Sequence, residues 1–204
     1  MLRKVVKDAR LRAKVLERAE EFKLNNSAGE STWYRELVLC ILTSNSTFIS
    51  AFSALQSLNN LIFAGTVDEI SAVLKKEGYR FPNLKAKYIV KSRSYLGHLK
   101  RDVKELADKD QIEAREYLLE IDGIGMKEAS HFLRNVGYFD VAIIDRHILK
   151  FFFDYIAEVD RKSLSKNQYL YYENILKSVA YNFNIQVGIM DLYIWFIKTG
   201  KIAK

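Results

Sequence analysis

The stretch Leu118-Leu119-Glu120-Ile121-Asp122-Gly123-Ile124-Gly125-Met126-Lys127-Glu128-Ala129-Ser130-His131-Phe132-Leu133 runs one helix into another through two closely spaced glycines. Glycines remove the Cβ atoms that would keep a backbone away from a polyanion. The helix that starts behind them offers unbonded N–H groups at its positive end, the arrangement that receives phosphates elsewhere. The same pattern also serves as a plain turn between two helices, and Gly-x-Gly alone does not separate the two readings.

On both sides of this hairpin the chain reads as helix. One proline and nine glycines leave few breaks, and apolar residues recur at spacings of three and four rather than alternating. Start signals stand at Ser31, at Thr66 with Glu69, at Asp110 with Glu113 and at Ser165 with Gln168, each a side-chain oxygen able to cap free amides. Gly78, Gly97, Gly137 and Gly200 stand where left-handed residues close helices, so about nine or ten helices with short connections are expected. The fold class is all-α. The first helix is expected to run from Leu2 to about Leu24, with Leu2, Val5, Val6, Ala9, Ala13, Leu16 and Phe22 on its buried side. Polar joints at Asn25 to Ser31 and Arg101 to Asp110 suggest a central subdomain over 30–105. Residues 1–29 with 106–204 then form a second subdomain, which carries the hairpin unit at about 112–137.

With 204 residues, 49% hydrophobic and 28% charged, the chain suits a globular domain with a sizeable core. The lone Cys40 cannot close an internal disulfide or build a four-cysteine cluster, and three scattered histidines do not make a metal centre, so no metal is expected. One cysteine fits a reducing, intracellular setting, and cytoplasmic localisation is expected. No apolar run approaches a bilayer span, and the charged start is not followed by a signal core, so no membrane partner is expected. The 32 Lys and Arg against 25 Asp and Glu leave a charge of +7, which favours polyanions, although many basic proteins bind no nucleic acid.

The hairpin resembles that of the helix-hairpin-helix DNA glycosylase superfamily, which places Leu-x-Gly-Val/Ile-Gly before a helix and an aspartate shortly after it. Lys127 matches the nucleophilic lysine of the bifunctional members, and Asp145, in Val141-Ala142-Ile143-Ile144-Asp145-Arg146-His147, matches the aspartate eighteen residues on. Upstream, Leu39-Cys40-Ile41-Leu42-Thr43-Ser44-Asn45-Ser46-Thr47 is similar to the superfamily's Leu-Leu-Ser-x-Gln-Thr segment. The likeness includes Gly78-Tyr79-Arg80-Phe81-Pro82-Asn83-Leu84-Lys85-Ala86-Lys87-Tyr88-Ile89 and spans about 30 to 150. The ending, Asp191 to Lys204, resembles the compact archaeal-type (type 2) 8-oxoguanine DNA glycosylase/lyases, which finish on a lysine that reads the lesion. Endonuclease III-like relatives carry a four-cysteine cluster that this chain cannot build, and the adenine glycosylases lack the hairpin lysine.

This resemblance implies two helical subdomains flanking a DNA-binding cleft. It also implies a bifunctional enzyme that flips 8-oxoguanine out of a duplex, cleaves its glycosidic bond and nicks the strand by β-elimination. Lys127 would attack C1′ to form a Schiff base, which requires a partly neutral amine, and Asp145 would stabilise the positive charge developing on the sugar. Phe81 and Trp195 would sandwich the flipped base, and Lys204 would recognise the lesion. Gly123 and Gly125 would offer hairpin amides to phosphate, Arg146 and His147 would contact the DNA backbone, and Asp191 would orient His147. Asn45 takes the place of the glutamine that helps fill the gap, and Asp122 occupies a position often held by proline. No redox cofactor is implied, although a monovalent cation at the hairpin is compatible with the family. The partner would be double-stranded DNA containing 8-oxoguanine, bound by a monomer. Taken singly, each residue has a plainer reading: Lys127 as a solvated first-turn lysine, Asp145 as a helix cap, Phe81 and Trp195 as core, Lys204 as a frayed end. Two other functions stay open, a non-catalytic helix-hairpin-helix DNA-binding module and a glycosylase for oxidised pyrimidines.

Overall fold

The computed structural model describes residues 1–156 and 164–202. Among them the chain forms α1 (Leu2–Lys7), α2 (Ala9–Ser27), α3 (Glu30–Thr43), α4 (Phe48–Leu58), α5 (Leu61–Ala64), α6 (Val67–Lys76) and α7 (Pro82–Ser92). There follow α8 (Leu99–Ala107), α9 (Gln111–Leu118), α10 (Met126–Asn135), α11 (Arg146–Tyr155), α12 (Lys166–Tyr181) and α13 (Val187–Thr199), with no strand among the described residues. The all-α expectation holds. Thr66 and Ser165 form full capping boxes and Asp110 caps α9, while the four stop-signal glycines all take positive φ. No described helix is long and apolar enough to cross a membrane.

The chain forms two compact units, Ser27–Phe132 and Met1–Asn26 with Leu133–Lys204. The first division falls in the Asn25–Ser31 joint. The second falls inside α10 rather than at Arg101–Asp110, because α8 and α9 pack on each other there and keep the hairpin with α3 to α8.

In the Ser27–Phe132 unit α3 is the core: Trp33, Tyr34 and every residue from Glu36 to Thr43 are buried. Around it, polar side chains join helix ends. The Tyr34 hydroxyl donates to the Ile89 carbonyl at 3.0 Å and lies 3.1 Å from Ser92 Oγ. Arg93 donates to the carbonyls of Leu61, Ile62 and Gly65 at 2.8, 2.9 and 2.6 Å, closing α5. Glu30 accepts the amides of Gly97, Leu99 and Lys100 at 2.9, 3.0 and 3.0 Å, so it supplies from another helix the cap that α8 lacks locally. Ser31 is not the start signal of α3, whose N-cap is Gly29.

In the other unit the expected first helix is broken at Asp8. Its carboxylate accepts the Leu11 amide at 2.8 Å, as a short acidic side chain does when it restarts a helix. The buried stripe of α2 is Leu11, Val15, Ala19 and Phe22, and Leu16 is 50% exposed, so the inward face is turned from the expected one. α13 packs with α1, α11 and α12. At Gly188 a Cβ would stand 3.0 Å from the Phe139 Cα, and its amide donates to the Phe139 carbonyl at 2.8 Å.

Replacing Glu30 with Gln turns one of two acceptor oxygens into a donor facing backbone amides. The variant is expected to lose about 2 kcal/mol of stability, measurable as an earlier midpoint in urea unfolding at unchanged slope.

Candidate active site

The hairpin is held from below by two apolar residues and from the side by an aromatic ring. Ile121 and Ile124 are buried, and the Ile124 amide donates to the Ile121 carbonyl at 3.0 Å, closing a tight turn. Gly123 has φ of +87°, and a Cβ there would lie 2.6 Å from Cδ2 of Tyr88 on α7. No other residue meets both demands. The Gly125 carbonyl accepts the Ala129 amide at 2.9 Å and begins α10. Asp122 points to α7, where its carboxylate lies 2.7 Å from the Lys91 ammonium and holds that lysine's pKa above its usual value. Its negative charge is thereby matched by a cation.

Lys127 stands in the first turn of α10 with its Nζ 2.9 Å from Glu128 Oε1. Glu128 in turn lines a cavity of about 490 Å³ that brings together Asn45, Phe81, Gly123 and Gly125 with two residues not anticipated from the sequence, Lys85 and Glu128 itself. Lys85 is 3% exposed and donates to the Ile41 carbonyl at 2.6 Å. Burial pushes its pKa down to about 8, with Glu128 acting against the shift and Lys127 with it. The Tyr79 hydroxyl donates to the Leu42 carbonyl, so two side chains close the end of α3 and fix the loop that carries Asn45. A cation at a helix C-terminus is favourable in itself. Asn45 is exposed with φ of 60°, and its Nδ2 lies 3.5 Å from Ser44 Oγ. Phe81 also has φ of 60°, is 47% exposed and carries the Arg80 guanidinium over its ring at 4.7 Å. A bulky residue in the left-handed region stores strain, and such strain collects at functional sites.

The remaining expected residues lie in the other unit. The extended stretch Val141–Ile144 is tied down by α12: Glu173 accepts the Ala142 amide at 2.8 Å, while the Tyr169 hydroxyl donates to the Ala142 carbonyl at 2.6 Å and accepts the Ile144 amide at 3.1 Å. That fixes Asp145 at the start of α11. Its Oδ1 accepts the amides of His147 and Ile148 at 2.8 and 2.9 Å, so the cap uses one carboxylate oxygen. His147 packs edge-on against Trp195 with ring centroids 4.3 Å apart, and desolvation pushes its pKa below the usual value despite Asp145. Arg146 is exposed and its Nε donates to His147 Nε2 at 3.3 Å.

Asp191 departs from its expected partner. Both its oxygens accept from Arg134 Nη1, at 3.1 and 2.8 Å, and not from His147. Burial raises its pKa to about 6 against the pull of that guanidinium. The reason is placement: Asp191 is on the buried face of α13, where only a buried cation offsets the desolvation of a carboxylate. Lys204 lies outside the described residues. No group of three or more His, Cys, Asp or Glu among the described residues could hold a metal ion.

Lys85 and Glu128 left faint signals in the sequence. Lys85 sits where the apolar spacing of Ala86 and Ile89 calls for a buried residue, and Glu128 adjoins the lysine expected to be the nucleophile.

The family described as 8-oxoguanine DNA glycosylase matches residues 15–185. A protein of Metallosphaera sedula named 8-oxoguanine DNA glycosylase/AP lyase is 63% identical over 204 residues, covering all of both chains. One of Saccharolobus solfataricus with the same name is 56% identical over 207 residues, again covering all of both. Among solved structures, the Methanocaldococcus jannaschii 8-oxoguanine glycosylase/lyase in complex with a 15mer DNA containing 8-oxoguanine is similar at a TM-score of 0.93 and 38% identity, covering 100% of this chain and 99% of that one. The 8-oxoguanine DNA glycosylase of Thermotoga maritima is similar at 0.89 and 37% identity, over 100% and 96%. With a hairpin that only Gly123 permits, a lysine directly behind it and relatives matched over their whole length, the chain belongs to the 8-oxoguanine DNA glycosylase family.

Proposed function

We propose that the protein excises 8-oxoguanine from double-stranded DNA and then cleaves the strand at the resulting abasic site. The observation that carries this reading is Lys127, in the first turn of α10 behind the glycine hairpin of a chain 63% identical throughout to a glycosylase/AP lyase.

The steps follow from the residues. A base in a duplex is out of reach, so it must be flipped at a cost of a few kcal/mol, which contacts outside the helix offset. Phe81, with an exposed ring, and Trp195, partly exposed, are the flat surfaces for stacking. Lys204 reads the lesion. The Lys127 amine, once it has lost its proton, attacks C1′ as the bond to the base breaks and its electron pair leaves with the base. Asp145 stabilises the positive charge on the sugar through the oxygen its cap leaves unused. Ring opening gives the imine, which acidifies the C2′ proton, and loss of that proton expels the 3′ phosphate. No step changes oxidation state, so no redox cofactor is required, and a monovalent cation suits the hairpin. Gly123, Gly125, Arg146 and the neutral His147 take backbone positions, with Arg146 the exposed cation among them. The protein acts as a monomer in the cytoplasm, where the DNA is.

Borohydride added to a reaction on a duplex with one 8-oxoguanine should trap a covalent adduct with the wild type, none with Lys127→Gln and less with Lys204→Ala. A strand with an oxidised pyrimidine should give none; adducts there would move the substrate, and no adduct on any strand would leave a DNA-binding module. Asp145→Asn keeps a capping oxygen but loses the charge. It should excise about a hundredfold to a thousandfold more slowly with little change in melting temperature. Arg146→Ala should weaken binding to damaged and undamaged duplex alike and reduce the slope of log K against log salt by about one.

A further inference from the structure

The roles assigned above leave Glu128 unused, although it is the group that touches Lys127. Its side chain is 9% exposed, with Oε1 at 2.9 Å from the lysine and Oε2 so near the hairpin that a Cβ on Gly125 would lie 3.3 Å from it. A carboxylate this buried is costly unless cations surround it. Lys127 supplies one, and α7 supplies the other through Lys85, which is more deeply buried still, is bonded to the Ile41 carbonyl and lines the same cavity.

We propose that Glu128 is the positioning residue of the nucleophile: its carboxylate, balanced by the buried Lys85, holds the Lys127 amine beside the hairpin cavity. The three charges sense one another, since Glu128 and Lys127 shift the pKa of Lys85 in opposite directions. Anchorage at both ends explains why the pair can be specific. Lys85 is fixed by a backbone carbonyl, and Glu128 is paired with Lys127 where Gly125, having no Cβ, leaves its carboxylate room beside the hairpin. A lysine on its own has four rotatable bonds and would spread its amine over many positions, and misplacement by about 1 Å is enough to slow an attack about a hundredfold. The simpler role for Glu128, an acidic residue in the first turn complementing the dipole of α10, requires neither the contact with Lys127 nor Lys85.

The inference rests on Lys127 being the nucleophile, and one experiment separates the two. Rates of borohydride-trapped adduct are measured in single turnover on an 8-oxoguanine duplex and on a duplex with a preformed abasic site, for wild type, Lys127→Gln, Glu128→Gln and Glu128→Asp, with duplex affinity measured alongside. Glu128→Gln is expected to bind within about twofold of wild type yet trap about tenfold to a hundredfold more slowly on both duplexes, and Glu128→Asp to recover most of the rate. Glu128→Gln at the wild-type rate, with Lys127→Gln inactive, overturns the role of Glu128 alone. So does a rate that falls only in step with affinity. Trapping by Lys127→Gln, or none by wild type, overturns the nucleophile and this inference with it. Should Glu128→Gln melt below the assay temperature, Lys85→Met decides: slower trapping at unchanged affinity supports the proposal, and a wild-type rate overturns it.

Discussion

The close approach of the Gly123 backbone to the Tyr88 ring governs how the hairpin end of the Ser27–Phe132 unit is assembled. A Cβ at 2.6 Å from an aromatic carbon cannot be accommodated by a small shift, because the ring belongs to a helix anchored by the buried Lys85, Ala86, Ile89 and Ser92. With hydrogen there, the turn lies directly on α7. Three features accompany that contact: α10 begins at a fixed point, Glu128, paired with Lys127, lines the same cavity as Lys85, and Asp122 reaches Lys91. The cavity is the space left between the two glycines of the turn and the large side chains of α7.

Charge is handled differently inside and outside this fold. Glu30, Arg93 and Lys85 are spent on backbone groups at helix ends, where amides or carbonyls have no helical partners. Arg134 and Asp191 pair within the other unit. The Lys85 and Arg134–Asp191 contacts are costly to break, because the partner left behind stays buried. Surface pairs such as Lys23 with Glu20, or Lys109 with Glu105, are exposed on both sides and contribute little. The fold can therefore carry excess positive charge for a polyanionic partner while its internal charges remain paired.

Local rules were sufficient wherever one segment settles its own structure. The helical class, the capping boxes at Thr66 and Ser165, the cap at Asp145 and the glycines that end helices are each decided by a few adjacent residues, and all were legible. The readings that differed depended on distant partners. The first helix breaks at Asp8 although its periodicity runs on, and its face turns toward whatever α13 and the Phe139 region offer. The joint expected at Arg101–Asp110 lies in a pair of packed helices. Asp191 looked free to serve His147 because nothing in the chain order shows that Arg134 is buried beside it.

By itself, the sequence determined the all-α class, the hairpin, the positions of Lys127 and Asp145 and, through resemblance, the chemistry proposed for them. These depend on residue type and short spacing, which the linear chain displays. Only the tertiary structure decided that Lys85 is buried, that Glu128 is buried where it pairs with Lys127, that Asp191 is committed to Arg134, and that Gly123 is required by a ring thirty-five residues away. Desolvation and charge pairing arise from what packs around a side chain, and neighbours brought together from separate helices have no signature in the order of residues.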